Sequence, residues 1–157
     1  MRSFRFHWPA IVVAMIVSFL FEAGWFSTFM VPWAIGIGRS EDWAAHPIRA
    51  LIPLQFAVAL LCSFVAATVL SYFIQKTGEQ TLLRGVKIGV LVWLGFIVTT
   101  LAKNYIFEVR PPSLYAINLT YTLLDMALIG AIVGAWKGKR LPDASVAEGP
   151  EPAESEQ

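Results

Sequence analysis

Four long apolar runs constrain this chain more than any other feature. They cover approximately residues 9–31, 53–74, 83–102 and 114–136. The hydrocarbon core of a bilayer takes about 20 apolar residues in a helix, at roughly 1.5 Å of rise each. Each run meets that length. Each is also apolar all round, whereas a soluble amphipathic helix keeps its apolar residues to one stripe. Composition points the same way: mean hydropathy is +0.62, and only 15% of the 157 residues are charged. So little charge leaves apolar surface that must face lipid or other apolar groups. The expected fold is all-α, an integral membrane four-helix bundle over residues 1–140.

From residue 141 onward the chain changes character. The segment LPDASVAEGPEPAESEQ has five acids, no base, three prolines and no aromatic residue. It cannot bury enough apolar surface to offset its ordering entropy, so residues 141–157 are expected to form a disordered acidic tail on the cytoplasmic side.

Orientation follows from the twelve Lys and Arg residues. Eight of them (Arg2, Arg5, Lys76, Arg84, Lys87, Lys137, Lys139 and Arg140) fall on the side holding both termini. Arg39, Arg49, Lys103 and Arg110 fall on the other. The positive-inside bias places both termini in the cytoplasm of a bacterial cell, with the spans in its inner membrane. Trp8, Trp33, Trp43 and Trp136 lie near span ends, where indole rings favour the interface. The first run is longer than a signal-peptide core and has no A-x-A-like cleavage site, so it is read as a retained span. The lone Cys62 rules out an intrachain disulfide. The scattered bases give no nucleic-acid footprint, so the expected partner is the lipid bilayer.

Small and polar residues recur at four-residue spacing: Ala10, Ala14, Ser18 and Glu22 in the first run, and Gln55, Ala59, Ser63, Ala67 and Ser71 in the second. The third run opens with Gly85-x-x-x-Gly89 and the fourth closes with Gly130-x-x-x-Gly134. Such stripes let helix backbones approach closely in lipid and are read as packing faces. In the fourth run Asn118, Thr122 and Asp125 share one face. Asn118-Leu119-Thr120 matches a glycosylation acceptor but falls at or inside the membrane boundary, which excludes that use.

Two acids stand out. Glu22 sits ten residues before Pro32 and Asp125 twelve after Ser113, about 15 and 18 Å from the same membrane face. An acid at mid-depth costs about 2.5–3.5 kcal/mol on insertion scales quoted for Asp. Two carboxylates close together there cannot both carry charge cheaply. Glu22, Asp125, Asn118 and Thr122 are therefore the candidate proton or cation site. The plainer alternative gives each acid its own hydroxyl or carbonyl partner. Lys103, Asn104, Glu108 and Arg110 form a second candidate cluster in the short outer connection, read first as surface ion pairing. Pro111 and Pro112 end the third helix and suit entry to the fourth.

Gly24 followed by Trp25-Phe26-Ser27 resembles a signature of the bacterial "domain of unknown function 1761" family. The stretch LVWLGFIVTTLAKNYIFEVRPPSLYAINLTYTLLDMALIGAIVGAW is similar to the second half of that family. It carries Gly95, Tyr115, Asn118, Tyr121, Gly130, Gly134 and Trp136 at matching positions. The resemblance implies a small four-helix membrane protein and brings no activity with it. The chain departs from the family pattern at Thr28, where the family tends to have proline, and at Glu22 and Asp125, where it tends to have small or apolar residues, so the resemblance implies no family-wide role for the acid pair.

No nucleophile–base–acid set is visible, and an enzyme is not expected. His7 and His46 are isolated and outside the runs. Gly36-Ile37-Gly38 lacks the strand and the lysine of a phosphate loop. No cofactor or metal is implied. The favoured expectation is a structural or accessory membrane component. The alternative is a small proton- or cation-coupled permease or channel subunit acting as a homo-oligomer.

Overall fold

The computed structural model describes residues 7–46, 48, 51–77 and 80–136. The acidic segment 141–157 lies outside the described residues. Six helices and one π-helical turn follow in order: α1 (Trp8–Gly36), α2 (Glu41–Ala45), α3 (Ile52–Lys76), α4 (Leu82–Val92), the π turn (Trp93–Val98), α5 (Thr99–Phe107) and α6 (Pro112–Ala135). α4, the π turn and α5 run on as one rod, Leu82–Phe107. With α1, α3 and α6 it gives four helices of 29, 25, 26 and 24 residues, each long and apolar enough to cross a membrane.

The helices mostly outrun the apolar runs. Helical hydrogen bonding continues to a cap or a proline, whereas hydropathy marks only the part that suits hydrocarbon. α1, α3 and α6 each have a proline in the first turn, where the missing N–H costs nothing. Thr81 caps α4 by accepting from the Arg84 N–H at 3.3 Å. Between α1 and α3 the structure has the short α2, whose Ser40 cap accepts from the Trp43 N–H at 3.2 Å.

α1 is not straight. Phe29 leaves helical geometry at φ −105°, ψ 15°. Pro32 lacks the N–H that would bond the Thr28 carbonyl, and its ring crowds that carbonyl. Just before it, the Ser27 and Thr28 hydroxyls bond back to the Ala23 and Gly24 carbonyls at 2.6 and 2.9 Å. Such back-bonding also bends helices. At the same end of the bundle the chain turns from α5 to α6 through Val109, at φ 53°. That left-handed conformation is strained for a β-branched residue.

α6 is the hub. It packs against α1, α3 and the Leu82–Phe107 rod, while α1 and α4 do not touch among the described residues. The buried core comprises Ile11, Ala14, Ala67, Leu70, Ile74, Met126, Ile129 and Val133. It occupies the half of the bundle nearest the start of α1. In the other half α3 loses one neighbour: it meets α4 but neither the π turn nor α5.

The closest approach is α4 on α6. A Cβ built on Gly85 would collide with the Gly130 carbonyl oxygen and sit 3.0 Å from the Gly134 Cα. A Cβ on Gly89 would meet the Met126 carbonyl, and one on Gly134 would lie 2.9 Å from the Gly85 Cα. Both glycine pairs therefore belong to one seam in which backbone packs on backbone. Gly85→Ala should destabilise the protein by about 1–3 kcal/mol, the usual cost of forcing volume into a packed contact. Gly24→Ala, where a Cβ meets nothing within 4 Å, should be neutral or gain up to about 1 kcal/mol. Melting of the two variants in detergent checks this, and equal melting temperatures would refute it.

Candidate functional site

Above the core, α1, α3 and α6 diverge around a pocket of about 560 Å³. α3 supplies the long wall, from Leu54 to Ala66, about 18 Å of helix. α6 contributes Tyr121, Thr122, Asp125 and Met126, and α1 contributes Glu22. The two mid-depth acids, 103 positions apart in sequence, thus face the same space.

Each acid has its own hydroxyl. The Ser18 hydroxyl donates to Asp125 Oδ1 at 2.6 Å, and Ser18 Oγ lies 3.1 Å from Ser63 Oγ. A hydroxyl has one proton, so with Ser18 donating to Asp125 the second contact runs from Ser63 to Ser18. The three side chains come from α6, α1 and α3, and all are buried. Helical spacing explains the meeting: Ser18 is one step of four from Ala14, which is in the core, and Ser63 is one step of four from Ala67. The small stripes therefore carry hydroxyls as well as close packing.

Glu22 is half-buried, with the Tyr121 hydroxyl within hydrogen-bonding reach and Asp125 near enough to act on both electrostatically. The Tyr121 ring is caged by α1. It stacks on Phe21 at 6.0 Å between centroids and meets Phe26 edge-on at 5.2 Å. Trp25 lies 6.5 Å away and packs in turn on Phe29 at 4.6 Å. Aromatic pairs at these separations add to the energy of burial, and here they aim the phenol at the carboxylate.

The expected polar face on α6 divides. Thr122 lines the pocket, but its hydroxyl is occupied: it donates to the Asn118 carbonyl at 2.8 Å and accepts from Trp93 Nε1 at 3.0 Å. Asn118 lies outside the pocket lining. Its side-chain amide bonds the Tyr105 hydroxyl, and the Tyr105 ring packs on Tyr115 at 5.1 Å. A stripe at i, i+4 and i+7 on a helix surrounded by three neighbours meets more than one of them.

The outer cluster does not join this site. Arg110 Nε pairs with Glu108 Oε2 at 2.9 Å, while Lys103 and Asn104 are exposed on α5. Of the motif positions, Trp25 and Tyr121 build the aromatic cage, and Gly130 and Gly134 build the seam. Ser27 bonds its own helix, Gly95 lies in the π turn, and Trp136 caps the end of α6. Sequence reasoning missed Ser18 and Ser63 as partners of an acid, reading them only as packing. It also missed Trp93. An indole N–H in the middle of a span needs an acceptor, and that was the available signal.

The family model described as "Protein of unknown function (DUF1761)" matches residues 9–134. The chain belongs to this family. No match exists among curated proteins or among solved structures. For this DUF1761 member the match takes in all four long helices and both acids, and stops just short of the end of α6.

Ser18→Ala removes the donor to a buried carboxyl and leaves the acid short of a partner. The expected loss is about 1–3 kcal/mol. Ser27→Ala, on an exposed hydroxyl, should change stability by less than about 0.5 kcal/mol. Thermal melts of both variants in the same detergent give the comparison, and a neutral Ser18→Ala would show that the Asp125 contact is not stabilising.

Proposed function

We propose that this DUF1761 protein is an integral protein of the bacterial cytoplasmic membrane that binds a proton or a small cation at mid-depth. In this reading it is a permease or channel subunit and not an enzyme. The observation that carries the proposal is the facing of Glu22 and Asp125, from α1 and α6, into one pocket of about 560 Å³. Ionisable groups inside membrane spans are expensive, and they characteristically mark ion or substrate paths. Separate hydroxyl partners let each acid exchange a proton or a cation without unmaking the other's contact. One four-helix chain leaves little room for a central path, so transport is assigned to a homo-oligomer in the bilayer, with no nucleic-acid partner.

The accessory reading also has an observation in its favour. The Asp125–Ser18–Ser63 contact ties three helices together, and a protein built only to hold shape needs such a tie.

Flux separates the two. In proteoliposomes, wild-type protein should dissipate an imposed proton or cation gradient faster than protein-free liposomes. Glu22→Gln, which keeps shape and hydrogen bonding, should lower the rate about tenfold or more. Equal rates for wild type, variant and empty liposomes would leave the accessory reading standing alone.

The proposed topology places both termini in the cytoplasm, from the eight-to-four division of Lys and Arg between the two sides. A periplasm-active reporter should be silent when fused after Lys139 and active when inserted in the 37–40 turn between α1 and α2. The reverse pattern would invert the orientation.

A further inference from the structure

The pocket is two-faced. One end is polar, with the carboxyls of Glu22 and Asp125, the Tyr121 hydroxyl and Ser63; the Thr122 hydroxyl beside them is already committed to Trp93 and the Asn118 carbonyl. Towards the start of α3 the wall is mainly apolar, Leu54 and Val58 with Gln55 between them, while Met126 closes the pocket from the buried core. The α3 wall is also open: Leu54 and Val58 remain 61% and 50% exposed, on the stretch of α3 that touches neither the π turn nor α5. The open side lies along the most apolar of the four spans, with a mean hydropathy of 2.2.

From this geometry we infer that the pocket takes a lipophilic primary amine. Its ammonium head sits against Glu22 and Asp125, and its alkyl body lies along α3 in the gap facing the Trp93–Phe107 segment. The inference rests on the cation-site reading above and narrows it to one chemical class. An alkylammonium has three N–H donors, and the polar end offers acceptors on three helices: Glu22 on α1, Ser63 on α3 and Asp125 on α6. A bare divalent cation asks instead for six or more oxygens. No group of three His, Cys, Asp or Glu suited to a metal occurs among the described residues. A volume of about 560 Å³ is in the range of small-molecule sites, which pair apolar walls with a few fixed polar groups. A neutral amphiphile would leave the acids without a counter-charge, and a compact ion would leave the apolar wall unused.

The test uses the full chain in phosphatidylcholine nanodiscs, with n-butylamine, n-hexylamine, n-octylamine, n-octanol, tetramethylammonium and potassium as probes. Calorimetric titration, corrected with empty nanodiscs, should show saturable binding of the alkylamines, with affinity rising about threefold to fourfold per added methylene. Cys62, the only cysteine of the chain, lines the pocket and reports occupancy. Saturating n-octylamine should slow its reaction with a maleimide about fivefold or more. The variant Glu22→Gln/Asp125→Asn should lose both effects; if it does not yield monodisperse protein, Glu22→Gln alone and Cys62 protection in the wild type decide the matter. Potassium or tetramethylammonium binding as tightly as n-octylamine would overturn the lipophilic class while leaving the cation site intact. Equal binding of n-octanol, or undiminished binding by the variant, would overturn recognition by the acids. Flux that depends on Glu22 without saturable amine binding would sink this inference but not the transport reading.

Discussion

The bundle depends on the contact of two helix backbones. In lipid no hydrophobic drive pulls helices together, because the surrounding tails are as apolar as the side chains. Association has to come from close dispersion contacts and interhelical hydrogen bonds. Gly85 and Gly89 on one rod and Gly130 and Gly134 on α6 leave no side chain between the two backbones at these positions, so carbonyl and Cα groups touch directly. Fixing α4 there leaves the remaining faces of α6 for α1 and α3. Since α6 also carries Tyr121, Thr122 and Asp125, the seam locates the pocket even though none of the four glycines lines it.

Packing is uneven along the bundle, and the unevenness has a use. The end near the start of α1 is filled by Ile11, Leu70, Ile74, Ile129 and Val133, all at most 1% exposed. Above it the kinked α1 and the free flank of α3 leave room. Polar groups collect at the border between the two regions. Asp125 and Ser18 sit on the packed side of that border, and Glu22 with Tyr121 on the open side. The same pair of acids can therefore hold helices together on one side and meet a ligand on the other, which is why the accessory and transport readings share residues.

Much of this was legible from residue order. Four helices long and apolar enough to cross a membrane follow from run length alone, because the bilayer fixes a helix length. The common depth of Glu22 and Asp125 follows from a constant rise per residue. Azimuth does not follow. Whether two side chains at one depth meet depends on helix rotation, and rotation accumulates small errors over a span of 25 residues. That is why Asn118, placed with Asp125 by the sequence, instead meets Tyr105. It is also why the two glycine pairs were visible but not their pairing with each other. Aromatic residues were hardest to place: Tyr121 could as well have faced lipid, and only the cage of Phe21, Trp25 and Phe26 shows that it does not.

The π turn at Trp93–Val98 has an angular consequence. A π turn adds one residue to a helical turn, which sets the helix beyond it back by about 100°. An unbroken α-helix would carry residues spaced by four slowly round the axis, so that over the length of this rod they would leave the α6 side. Trp93, where the turn begins, reaches Thr122, and with the extra residue Tyr105 beyond the turn comes back to the α6 side and reaches Asn118. Phe96 is left outside, 69% exposed. The turn thus acts as a phase correction, letting one rod keep step with α6 from the glycine seam to the outer tyrosines.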